Sequence, residues 1–179
     1  ALCFINLNNY MKLNIGGKEK KEGWHVLNIQ KKDGADFIGD ISDLSQFKDD
    51  SIEEIYASHV FEHINQKNIN KTLLGINRIL KKNGKVDISV PDMDILCKMF
   101  IDKTNTPQIK IHALRMIFGG QTDEYDFHYF GYNFDLLNNL LKKNGFKDVK
   151  RVQKFSIFND TSNYAPYGEP ISLNLIAIK

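Results

Sequence analysis

The chain has 179 residues, the length of one domain and enough for a sizeable core. With 24 Lys and Arg against 22 Asp and Glu, the net charge of +2 gives no global field for capturing nucleic acid, and no apolar run approaches the ~20 residues that cross a membrane. Two cysteines, Cys3 and Cys97, stand far apart in apolar surroundings and read as reduced, buried thiols, which points to a cytoplasmic setting. The opening ALCFINLNNY is too short for a signal peptide and lacks its cationic start, so it reads as a packed N-terminal extension.

From Met11 to Asn28 the chain reads MKLNIGGKEKKEGWHVLN: an apolar run, the Gly16-Gly17 pair, a charged connector and a second apolar run. An apolar strand that stops at paired glycines lets backbone approach a ligand without a Cβ in the way. A dinucleotide would want G-x-G-x-x-G opening a helix, but Lys18 to Glu22 follow instead, and no G-x-x-x-x-G-K-[ST] stretch exists for a P-loop. A glycine turn without a phosphate cradle suits a nucleoside ligand that carries no phosphate.

The second strand is expected over Trp24 to Ile29, a third extended run ends at Gly39-Asp40, and Ser42 to Ser51 forms a loop or short helical turn. Ile52 to Ala57 reads as a fourth strand ending at Ser58-His59. Asn65 is the expected cap of a helix with Ile69, Leu73, Ile76 and Leu80 on one stripe, Lys81-Lys82 in its last turn and Asn83-Gly84 as its stop. Lys85 to Val90 is a fifth strand, stopped by Pro91-Asp92, where Asp92 and Asp94 suit an N-cap. Helices are expected over Met93 to Asp102, Ile109 to Phe118 and Phe134 to Lys143, the last closing on the same LKKNG as the earlier one. Val149 to Phe155 and Ile171 to Ile178, with no helix between them, predict an antiparallel pair.

Strands alternating with helices imply a mostly parallel sheet with helices on both faces and ligands beyond the carboxyl ends of the strands. Those ends carry Gly16-Gly17, Asn28, Asp40, Ser58-His59 and Pro91-Asp92, so small and polar groups collect along one edge. Between Gly119 and Tyr132 lie five aromatics and His128, without helical or strand period. We expect this segment to form a lid over an acceptor, with Gly119-Gly120 and Gly131 as hinges and His128 reaching the reacting atom.

KLNIGG, IYASHVFEH and KVDISVPD, in this order, resemble the class I S-adenosylmethionine-dependent methyltransferases, nearest to small bacterial members of the type 11 group, over roughly Met11 to Val149. The resemblance implies a Rossmann-like seven-stranded sheet of order 3-2-1-4-5-7-6 with strand seven antiparallel. It implies one domain over residues 1–179 with an acceptor or lid insertion around 92–132. It also implies S-adenosylmethionine as cofactor, with Asn14, Gly16 and Gly17 under its methionine and ribose, Asn28 at the ribose hydroxyls, Asp40 and Ile41 at adenine, and Ser58 and His59 at the strand-four cleft. Lys18 departs from a motif glycine, and Asn28 replaces a carboxylate, which removes a charge-assisted, two-oxygen geometry.

The expected activity is methyl transfer to a small or medium acceptor such as a biosynthetic intermediate, with His59 or His128 as base; the alternative is a non-catalytic binding module that kept the fold. Neither nucleic acid nor membrane insertion is expected, and the oligomeric state is open. His59-Val60-Phe61-Glu62-His63 formally matches H-x-x-E-H, a zinc-peptidase motif, but that motif needs an uninterrupted helix and here it begins where a strand ends. No metal is therefore expected, and Glu62 and His63 read as capping or pairing groups.

Overall fold

The computed structural model describes residues 11–31 and 34–179. Seven strands form one sheet of order β3-β2-β1-β4-β5-β7-β6: β1 (Met11–Ile15), β2 (Trp24–Asn28), β3 (Phe37–Ile38), β4 (Ile52–Ser58), β5 (Leu80–Pro91), β6 (Lys147–Val152) and β7 (Ser172–Ile178). β1 to β5 run parallel, and β7 pairs antiparallel with both β5 and β6. This is the expected sheet. In β5 every residue from Val86 to Pro91 is buried, and so are Glu54 to Ala57 in β4. Consecutive burial requires cover on both faces of the central strands, since a half-exposed strand would alternate.

The cover comes from four helices: α1 (Ile69–Ile79), α2 (Met93–Ile101), α3 (Pro107–Phe118) and α4 (Phe134–Lys143). Ile69, Leu73, Ile76 and Ile79 of α1 and Leu137 and Leu141 of α4 join the strands in the main apolar cluster. α2 and α3 build a second one from Leu96, Met99, Ala113 and Ile171. Asp92 caps α2 by accepting from the Asp94 amide at 3.0 Å, and Asn133 caps α4 by accepting from the Leu136 amide at 3.0 Å.

Three local expectations need correction. The helix α1 stops at Ile79, and Leu80 to Gly84 is already β5, with Asn83 at φ 63° where the β4 register shifts. Asn65 does not cap that helix; its side chain accepts from the Lys67 amide in a local turn. Cys97 is exposed on α2 rather than buried, because the apolar stripe of that helix runs through Leu96 and Met99. The expectations for Cys3 and for a packed opening segment fall outside the described residues.

Candidate active site

The carboxyl end of β1 turns at Gly16, whose amide donates to the Leu27 carbonyl at 2.8 Å and whose φ is 76°. A Cβ at Gly16 would lie 2.7 Å from Cγ2 of Val60, and one at Gly17 would run into the side chain of Asn14. Both glycines are thus required by close approach, the first by its left-handed backbone as well. Asn28, 7% exposed at the end of β2, ties the same turn: its Nδ2 donates to the Gly17 carbonyl at 3.3 Å and its Oδ1 accepts from the Gln30 amide at 3.0 Å.

Two clefts open on this edge and meet at the glycine turn. The larger, about 670 Å³, is lined by Gly16, Asn28, Asp40, Ile41 and His59, and on its far side by Thr122 to Asp126 and Tyr129. The smaller, about 340 Å³, is lined by Asn14, Gly16, Gly17, Ser58 and His59, and by Phe158 to Thr161. Gly16, Lys18 and His59 border both. The structure therefore collects eight of the nine expected site residues around one groove. Asp40 also holds its own turn, accepting from the Ser42 amide at 2.7 Å. Ser58 Oγ is buried and satisfies no hydrogen-bond geometry among the described residues, the adjacent Tyr56 hydroxyl being turned to Asp160 and Ser162. An unsatisfied hydroxyl in the small cleft fits a polar ligand there.

The wall from Phe158 to Thr161 had no functional reading in the sequence. It is held by a buried hydroxyl: Tyr56 donates to Asp160 Oδ2 at 2.9 Å, and burial drives that phenol well above its ordinary pKa. Phe158 packs edge-on against Trp24 at 5.2 Å. In sequence these residues are part of the link between β6 and β7, and only the contact of Asp160 with a tyrosine 104 residues away makes them a wall.

His59 leaves the end of β4 at φ 52°. Its Nε2 lies 2.9 Å from Ser172 Oγ, which itself donates to the Thr161 carbonyl at 3.0 Å, so the ring nitrogen is the donor in that pair. Its Nδ1 lies 3.1 Å from Glu62 Oε1. Glu62 belongs to a 3-10 turn, Phe61–His63, in place of the helix an H-x-x-E-H motif requires. Burial would raise its carboxyl, but the facing His59, with His63 and His128, holds it below the ordinary carboxylate range. His59 Nδ1 is within ion-pair reach of Glu62 but poorly aimed, and neither carboxylate oxygen has a hydrogen-bond partner among the described residues.

His128 lines neither cleft, contrary to its expected reach to a reacting atom. Its Nδ1 is bonded to the Met116 carbonyl at 3.0 Å, and its ring meets that of His63 edge-on at 4.7 Å, behind the wall of the larger cleft. Burial first, then the neighbouring His63, lowers its pKa against the pull of Glu62. The glycines read as hinges are close-approach positions: a Cβ at Gly119 would strike the Asp126 carbonyl, and one at Gly131 would lie 2.6 Å from Met93 Cγ and Sδ. The segment is docked, with the Tyr129 amide donating to the Glu62 carbonyl at 2.7 Å and the Met93 amide to the Tyr132 carbonyl at 2.9 Å.

Residues 7–88 match the family model described as "Methyltransferase domain". Among solved structures, a SAM-dependent methyltransferase from Archaeoglobus fulgidus aligns at 16% identity over 94% of this chain and 86% of its own, with a TM-score of 0.60. A SAM-dependent methyltransferase of Thermotoga maritima, described as a possible histamine N-methyltransferase, aligns at 18% identity over 94% of this chain and 82% of its own, with a TM-score of 0.56. The 1,6-didemethyltoxoflavin-N1-methyltransferase of Burkholderia thailandensis, solved with its acceptor and S-adenosylhomocysteine, aligns at 14% identity over 94% and 70%, with a TM-score of 0.60. A search of curated proteins returned no match. At these identities the structural likeness establishes the fold. Over residues 7–88 the chain is thus similar to a methyltransferase domain, and over nearly its whole length it shares the fold of S-adenosylmethionine-dependent methyltransferases of known structure.

Proposed function

We propose that the protein transfers a methyl group from S-adenosylmethionine to a small or medium-sized acceptor, with the cofactor laid across both clefts. The observation that carries this reading is the pair of clefts meeting at the Gly16-Gly17 turn, with Asn28, Asp40, Ile41, Ser58 and His59 around them. The nucleoside end belongs in the larger cleft beside Asn28, Asp40 and Ile41, and the methionine end in the smaller one over Asn14, Gly16 and Gly17. When bound, the cofactor supplies a methyl carbon already activated for in-line displacement. The chain then has to align the acceptor and exclude water. The docked segment from Gly119 to Tyr132, within an insertion over 92–132 of this single domain, closes the larger cleft, and Phe158 to Thr161 close the smaller.

His59 stands where the clefts meet and is the histidine that borders both of them. For a hydroxyl acceptor it serves as base only in the tautomer that carries hydrogen at Nδ1, towards Glu62, with the freed Nε2 lone pair exchanging Ser172 for the acceptor. His128, walled off from both clefts, is left as a positioning group. A small-molecule biosynthetic intermediate and a cytoplasmic setting accord with this reading; among the described residues no helix is long and apolar enough to cross a membrane.

A second reading, a binding module without catalysis, draws on one observation: both ends of the Asn28 amide are already bonded within the protein, at 3.3 Å and 3.0 Å. Thermal denaturation separates the two. S-adenosylhomocysteine at ~100 times its dissociation constant adds about 2.7 kcal/mol to stability and raises the Tm, while NAD leaves it unchanged. No shift at millimolar S-adenosylhomocysteine would favour the second reading and defeat the first.

A further inference from the structure

At the wall of the larger cleft, which His63 lines, Glu62, His63 and His128 each bring one ligand atom within 4.8 Å of the others. The two histidines come from different parts of the chain, one on the 3-10 turn after β4 and one on the aromatic segment between α3 and α4. Their tautomers follow from their partners. His63 Nδ1 lies 3.1 Å from the Phe127 carbonyl and His128 Nδ1 3.0 Å from the Met116 carbonyl. A carbonyl can only accept, so both Nδ1 atoms carry hydrogen and both neutral rings keep their lone pair at Nε2. A ring fixed by an Nδ1–H bond to backbone, with Nε2 free, is how metal-bound histidines are held.

The third group points the same way independently. Glu62 is 1% exposed and neither of its oxygens has a hydrogen-bond partner among the described residues. An ionised carboxylate buried without hydrogen bonds is costly, and a cation is what would satisfy it.

We infer that Glu62, His63 and His128 form a binding site for a first-row divalent transition metal of the zinc or iron(II) type. Two imidazole nitrogens and one carboxylate are a donor set these metals accept, with open positions left for water or a ligand. Ligand atoms around such an ion sit roughly 3 Å apart at bond lengths of ~2.0 to 2.2 Å, so binding draws the trio together from its present separation. His59 Nδ1 lies 3.1 Å from Oε1 of the same carboxylate, within ion-pair reach. Binding would staple the aromatic segment to the end of β4 and, through His63, place a cation at the wall of the larger cleft. The site stands whether or not the cleft holds S-adenosylmethionine.

The test uses the full chain stripped with a chelator, titrated with Co2+ as a spectroscopic probe and with Zn2+ by calorimetry. One equivalent of Co2+ is expected to produce visible d–d bands, to be displaced by Zn2+, and to raise the Tm. His128→Asn and His63→Asn should each weaken binding at least tenfold and abolish the Tm rise, while His25→Ala and His112→Ala, away from the cluster, leave both unchanged. Glu62→Gln is the complementary variant, judged only where its circular dichroism matches wild type. Absence of d–d bands at millimolar Co2+, or affinity retained in both His63→Asn and His128→Asn, would leave the trio as an ion-pair network and overturn the inference.

Discussion

Replacing Gly16 by alanine separates two costs that meet at the Gly16-Gly17 turn. At φ 76° an L-residue is held in the left-handed region, which costs ~1 to 2 kcal/mol. The new Cβ would lie 2.7 Å from Val60 Cγ2, against the 3.4 Å at which ordinary contact begins, so the valine must withdraw by 0.7 Å. Val60 is half-buried and can turn, at about 0.5 to 1.5 kcal/mol for leaving its rotamer well. The expected loss for Gly16→Ala is therefore about 1.5 to 3.5 kcal/mol. Urea denaturation can follow it through Trp24, the one tryptophan in the chain, which packs on Tyr56 and Phe158. Adding Val60→Ala removes the clash but not the backbone strain, so the double mutant should recover about 1 kcal/mol relative to the sum of the singles. A Gly16→Ala variant within ~0.3 kcal/mol of wild type, or one without coupling to Val60, would refute the geometry of this turn.

Asp40→Ala should weaken S-adenosylhomocysteine binding by ~1 to 3 kcal/mol in calorimetry; Asp40→Asn, which keeps an acceptor for the Ser42 amide, shows whether that loss comes from the turn or from the ligand. Asn28→Asp should lower the stability of the free protein by ~1 kcal/mol in urea, because the Gly17 carbonyl loses its donor and faces a carboxylate, yet should tighten S-adenosylhomocysteine. Unchanged affinity would place the ribose elsewhere. Asp87, fully buried beside Lys85 at 3.0 Å, has its carboxyl raised by burial to about 6. The folded state then holds a proton that the unfolded chain gives up near 3.8, so this group's contribution is present at low pH and lost as pH rises towards and through 6. Asp87→Asn should gain on the order of 2 kcal/mol over wild type between pH 4 and pH 7 in urea unfolding, Lys85 keeping Glu54 at 2.7 Å. Parallel pH profiles for the two proteins would show that Asp87 stays ionised in the fold.

The edge of the sheet was legible because each strand stops at residues that strands avoid, Gly16-Gly17, Asn28, Asp40 and Ser58-His59, and all of these border the groove. The antiparallel pairing of β6 and β7 followed from the missing helix between them. LKKNG shows where local reading ends. At Leu141 to Gly145 it closes α4, with Gly145 at φ 89°, whereas at Leu80 to Gly84 the same five residues open β5. The first copy is drawn into the sheet by β4, where Ile52 pairs with Leu80 and Glu54 with Lys85 just beyond it, a tertiary preference that no local propensity records. His128 misled for a related reason. Its segment is rich in aromatics, as a lid would be, but the partner that decides where the ring points is the Met116 carbonyl, twelve residues earlier on α3. The assembly of Glu62, His63 and His128 was equally hidden, because its outermost members, Glu62 and His128, are 66 residues apart and come together only in the folded chain.

The central claim is that the paired clefts hold S-adenosylmethionine. Calorimetric titration of the chelated protein with S-adenosylhomocysteine tests it most directly, since chelation removes any contribution from metal. We expect one S-adenosylhomocysteine bound per chain, with affinity reduced in both Gly16→Ala and Asp40→Ala. A folded wild-type protein that takes up no S-adenosylhomocysteine at millimolar concentration, or that binds it equally well in both variants, would contradict the account.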